Sequence, residues 1–144
     1  MYINFWYPVI LGEELKDEPV KVRMLGQNYV VFRDSEGNPN TLHDICIHRG
    51  ASLSEGLIKK DCIQCPYHGW QFDGKGECKK IPSLGKDAKI PKRANIDAYP
   101  TEEKYGIVFA FLGDQPEKER PELYEIEEFE ADGWRSNYPK IIDV

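Results

Sequence analysis

Apolar and polar residues alternate along this chain in short stretches that are repeatedly interrupted. Val20–Leu25, Tyr29–Arg33, Thr41–Asp44, Leu57–Lys59, Cys62–Gln64, Gln71–Phe72, Lys79–Ile81, Ile96–Tyr99 and Ile107–Leu112 read as strands, most of them rich in β-branched or aromatic residues. Turn signals separate them: Gly26-Gln27-Asn28, Asp34-Ser35-Glu36-Gly37-Asn38-Pro39 and Asp73-Gly74-Lys75-Gly76. There Gly, Asn, Asp and Pro supply the backbone angles that reverse a chain. No helical periodicity precedes about residue 115. Regular short strands with such turns predict an all-β sandwich or barrel. Ser83–Arg93 contains several Lys and Pro and reads as an exposed loop. The acidic stretch Pro121–Glu130 is expected to form a short helix.

Two strings at strand ends carry chemistry. Cys46-Ile47-His48 and Cys65-Pro66-Tyr67-His68 are separated by sixteen residues, Arg49 to Gln64. Thiolates are soft donors suited to iron–sulfur clusters, and imidazole suits iron as well. A Cys and a His one or two residues apart can both project from one loop tip, and two such loops can enclose a small cluster. The spacing is that of a Rieske centre, where two thiolates hold one iron of a [2Fe–2S] cluster and two imidazoles hold the other. Gly50 and Gly69 let the backbone approach the cluster or take positive φ. Backbone N–H groups of residues 49–51 and 67–70 are placed to bond the sulfurs, and Pro66 stiffens the second loop.

The flanks extend the pattern. Phe5-Trp6-Tyr7-Pro8-Val9, Cys46-Ile47-His48-Arg49-Gly50-Ala51 and Leu53-Ser54-Glu55-Gly56 are followed by Cys65-Pro66-Tyr67-His68-Gly69-Trp70-Gln71-Phe72-Asp73-Gly74, Ile81-Pro82 and Tyr105-Gly106-Ile107-Val108-Phe109. Across residues 3–115 the chain resembles the N-terminal Rieske domain of Rieske non-haem iron oxygenases, the ring-hydroxylating dioxygenase and oxidative demethylase group. Respiratory-type Rieske proteins carry an extra Cys in each cluster loop and a membrane anchor. Here Ala51 and Tyr67 stand in that neighbourhood, so the resemblance is to the oxygenase or ferredoxin branch.

The resemblance implies a Rieske-type β-sandwich or barrel with a small cluster-binding subdomain of two loops. It implies a Rieske domain over residues 1–115, then an acidic C-terminal extension, 116–144, leading toward a catalytic domain. Cys46 and Cys65 would hold an inner iron that stays ferric, and His48 and His68 an outer, reducible one. Arg49, Gly50, Tyr67, Gly69 and Trp70 would surround them. A ferredoxin or flavin reductase would supply the electron. A catalytic domain with mononuclear Fe(II), often in a neighbouring subunit, would receive it.

Counting histidines limits what these residues can do. The oxygenases' second iron sits in a 2-His-1-carboxylate triad. The chain has three His, and only His43 remains outside the two strings, so it lacks that site. It is expected to be the N-terminal domain of a longer oxygenase or a free-standing Rieske ferredoxin. A structural Cys₂His₂ zinc module and an iron–sulfur sensor are the rivals.

At 144 residues the chain is expected to be one domain with a core that needs no disulfides. No apolar stretch is long enough to span a bilayer, and no signal peptide is evident, so a reducing cytoplasmic setting is expected. A net charge of −6 argues against nucleic acid. Residues 59–93 carry nine Lys/Arg against four Asp/Glu, and 101–132 carry eleven Asp/Glu against three Lys/Arg. Both read as solvated surface; the basic stretch, with Lys79 and Lys80, could also steer an acidic donor.

Other residues have plainer readings. Cys62 forms Cys-x-x-Cys with Cys65 but reads as a buried strand residue, not as a redox pair or half a zinc knuckle. No specific role is expected of Cys78. His43 reads as structural, Arg49 as an ion-pair partner, Tyr67 and Trp70 as packing around the sulfurs, and Trp6 and Tyr7 as core or interface aromatics.

Overall fold

The computed structural model describes residues 3–85, 89–129 and 131–137. These form β1 (Phe5–Leu11), β2 (Val20–Met24), β3 (Gln27–Arg33), β4 (Pro39–His43), β5 (Leu57–Lys59), β6 (Cys62–Gln64), β7 (Gln71–Asp73), β8 (Cys78–Lys80), β9 (Ala98–Tyr99), β10 (Thr101–Lys104) and β11 (Ile107–Leu112). Single 3₁₀ turns cover Leu53–Glu55, Pro82–Leu84 and Glu117–Glu119. The strands make three antiparallel sheets, ordered β1-β11-β10, β2-β3-β4-β9 and β5-β6-β7-β8.

β3 explains how the sheets stack. Successive side chains of a strand point to opposite faces. Val31 packs with Leu15 and Val108, and Tyr29 with Ala110 and Leu112, toward the β1-β11-β10 sheet. Val30 and Phe32 point the other way, into the cluster of Leu42, Leu53, Ile63 and Phe72 that reaches the β5–β8 sheet. Tyr29–Phe32 are therefore all buried, and the run reads as continuously apolar. Burying each such side chain contributes about 1.5–3 kcal/mol. Cys78 belongs to the same core, where burial raises its thiol pKa.

β1 and β10 were not legible as strands. β1 contains Pro8, which cannot donate to a ladder, but it lies at a sheet edge and its register shifts between Pro8 and Ile10. β10, Thr-Glu-Glu-Lys, is polar and lies at the other edge of the same sheet. Apolar β11 lies between them and pairs with both. Arg33 adds a second tie. Its guanidinium donates to the carbonyls of Leu15, Gly37 and Gly12 and, twice, to Glu103 of β10 at 2.6 and 3.1 Å.

The helix expected over Pro121–Glu130 is absent from 121–129; Glu130 lies outside the described residues. The segment instead crosses the β1-β11-β10 sheet. Trp6 Nε1 donates to the Pro121 carbonyl at 2.8 Å, and Arg120 lies 5.1 Å over the Phe111 ring. Ile126 N donates to the Tyr105 hydroxyl at 2.6 Å, and the Phe129 ring packs 4.6 Å from that of Tyr105. Clustered Glu side chains disfavour a helix here, and Tyr105 captures the backbone donor instead. The loop expected over Ser83–Arg93 is largely exposed where described, with a 3₁₀ turn at its start; residues 86–88 lie outside the described set.

Candidate metal centre

Two six-residue loops form the site, and their backbones close in the same way. In the first, Cys46 N donates to the Ala51 carbonyl at 2.8 Å and Gly50 N to the Cys46 carbonyl at 2.8 Å. In the second, Cys65 N donates to the Trp70 carbonyl at 2.8 Å and Gly69 N to the Cys65 carbonyl at 3.1 Å. The fifth residue of each loop is a glycine at φ 73° and 72°, a region side chains avoid. Cysteine opens both loops. Histidine comes third in one and fourth in the other.

These two loops bring all four expected ligand residues together. Cys46 and Cys65 are buried, 1% and 2% exposed, whereas His48 is half-buried and His68 exposed. The imidazole centroids are 4.6 Å apart. The thiol of Cys46 meets that of Cys65 and also receives the backbone N–H groups of His48 and Arg49. Burial pushes the Cys46 pKa up to about 11; the His48 N–H opposes this, Cys65 adds to it, and the Arg49 N–H opposes it. His48 is held below its ordinary pKa, first by desolvation and then by the charges of His68 and Arg49. Its Nδ1 is buried with no hydrogen-bond partner. Buried thiols, imidazoles nearer the surface and an unpartnered ring nitrogen suit an iron-containing group held between the loops. Among the described residues no three Cys, His, Asp or Glu side chains are grouped to hold a single metal ion.

The surrounding residues fall out as follows. Trp70 stacks on His48, with centroids at 4.7 Å and planes 7° apart. Tyr67 lies 3.9 Å from His68 and is itself 67% exposed. Arg49 is exposed, and His43 sits at the end of β4, paired with Tyr29. Cys62 is half-buried opposite Asp73 on β7. Lys79 is held by Glu77 at 2.6 Å and Asp73 at 3.0 Å, which raise its pKa. Its charge is thus compensated locally, so of the two lysines singled out for steering it is the poorer candidate.

Sequence reasoning missed Asp44. Its carboxylate is buried and accepts from Ser54 N at 2.7 Å, Ser54 Oγ at 2.8 Å and the Ser52 hydroxyl, with Lys21 Nζ at 3.6 Å. It pins the chain that leaves the first loop. The available signal was an Asp two residues before Cys46, facing two serines just past the loop.

The Rieske [2Fe-2S] domain profile matches residues 5–100. The chain is 43% identical over 120 residues to the tert-butanol monooxygenase / tert-amyl alcohol desaturase oxygenase subunit of Aquincola tertiaricarbonis, covering 83% of this chain and 25% of that protein. It is 40% identical over 120 residues to phenoxybenzoate dioxygenase subunit alpha of Ectopseudomonas oleovorans, covering 83% and 29%. Among solved structures, dicamba monooxygenase with non-heme iron and dicamba superposes with a TM-score of 0.73 at 33% identity, covering 83% and 37%. The chain thus spans between a quarter and two-fifths of the length of these relatives.

Proposed function

The chain belongs to the Rieske [2Fe–2S] domain family, and on that premise we propose that it accepts and passes on single electrons as the electron-receiving domain of an oxygenase. When bound, a Rieske cluster supplies one reversible electron at a potential of roughly −150 to +300 mV. The observation that carries the reading is the arrangement of two buried cysteines, a half-buried histidine and an exposed histidine on matched loops. Cys46 and Cys65 would hold one iron and His48 and His68 the other. The N–H groups of His48 and Arg49 bond the Cys46 sulfur and stabilise its negative charge. Binding a cluster would require both thiols to lose their protons.

Electrons would come from a ferredoxin or flavin reductase and leave for a catalytic domain or neighbouring subunit. Oxygenase subunits among the relatives support this reading. A reducing cytoplasm suits four cysteines that form no disulfide. Among the described residues no helix is long and apolar enough to cross a membrane.

The test is iron and acid-labile sulfide analysis of the purified chain, with EPR before and after dithionite. Two irons and two sulfides per chain with a Rieske-type signal on reduction are expected. Zinc without sulfide or colour overturns the proposal. Charge reversal at Lys80 is expected to slow reduction by an acidic donor more than reversal at Lys79. No change in the reduction rate at low salt on reversing Lys80 would remove it from the docking surface.

A further inference from the structure

The two imidazoles have different aromatic neighbours. His68 touches Tyr67 of its own loop, which is largely exposed. His48 is covered from the opposite loop: Trp70 lies parallel to it at 4.7 Å and 7°. Trp70 is held on two sides. Its carbonyl accepts from Cys65 N, and its ring packs on the core 6.4 Å from Phe72. The matching position of the first loop is Ala51, which has no ring to offer. The Nδ1 of His48 is buried and finds no hydrogen-bond partner, so it is left to face a metal while the ring lies flat against Trp70.

We propose that Trp70 is the positioning residue for His48 and that it holds down the reduction potential of the centre by stacking on that imidazole. The inference rests on the Rieske reading above. Its physics has two parts with one sign. The face of an aromatic ring is electron-rich, so it disfavours an added electron on the iron that His48 would bind. A ring lying on His48 also keeps water away, and water favours the more negative, reduced state. Both effects make reduction harder.

The test is the midpoint potential of the [2Fe–2S]-loaded chain carrying Trp70→Phe, Trp70→Leu or Trp70→Ala, with Tyr67→Leu for comparison. Iron and sulfide content and the reduced EPR spectrum are measured alongside. The potential is expected to rise slightly in W70F, more in W70L and most in W70A, with changed g-values in W70L. Y67L is expected to move the potential less than W70L. A loaded W70L at the wild-type potential, a downward shift, or a Y67L shift as large as that of W70L overturns the proposal. Where W70L and W70A retain no cluster, an unmoved potential in W70F overturns it. An unmodified chain without iron and sulfide sinks the Rieske reading itself, whereas a loaded chain indifferent to Trp70 sinks only this inference.

Discussion

Loop Cys46–Ala51 and loop Cys65–Trp70 share a backbone and differ in how they are held. Both close through the same pair of hydrogen bonds and turn at a left-handed glycine. The second is clasped by β6 and β7, paired through Gln64 and Gln71, whose side chains also bond at 2.9 Å. The first has no such hairpin. It enters from β4 and leaves into a 3₁₀ turn, and the buried carboxylate of Asp44 does the work that strand pairing does for its counterpart. Loop shape is thus a property of the backbone bonds and the glycine. Loop stability comes from different sources on the two sides.

Replacing Cys46 or Cys65 by Ser is expected to abolish cluster loading, read as loss of bound iron and of visible absorbance; retained colour in both would remove them as ligands. Asp44→Ala leaves two hydroxyls and an N–H without their acceptor, and is expected to cost about 3 kcal/mol in denaturant melts. Hydrogen exchange should rise in 46–55 more than in 65–70, and uniform exchange would deny the carboxylate its local role. Gly50→Ala and Gly69→Ala each place a Cβ at positive φ, at roughly 1–2 kcal/mol. A Cβ at Gly50 meets open space, whereas one at Gly69 comes 3.2 Å from Pro82 Cγ, so G69A is expected to be the costlier.

A smaller effect lies away from the loops. Arg33 holds the Glu103 carboxyl below its ordinary range. A depressed folded pKa gives stability that is present above the unfolded value and lost as pH falls through the folded one. Glu103→Gln is therefore expected to cost about 1 kcal/mol near neutrality and to match the parent chain in strong acid. Parallel stability curves down to that acid limit would discount the pair, and the loops should be indifferent throughout.

Much of this was legible because the signals were local. Ligand spacing and the two glycines lie within six residues of each other in each loop, and β3 and β11 announce themselves as apolar runs. What was missed depends on distant partners. β10 is a strand because β11 lies beside it, and Pro8 is tolerated because β1 is an edge. Pro121–Phe129 is not a helix because Trp6 and Tyr105 take hold of its backbone. The roles of Asp44, Cys78 and the Trp70–His48 stack needed the loops and sheets in place before they could be seen.

The common closure of the two loops makes them interchangeable parts. Each is a six-residue cassette whose mounting points are the amide and carbonyl of its first residue, the amide of its fifth and the carbonyl of its sixth. The third and fourth positions take no part in the closure, so the imidazole can occupy either without altering the mount. A designer could therefore graft such a cassette onto any hairpin offering the same end-to-end spacing, and tune the graft by choosing its sixth residue.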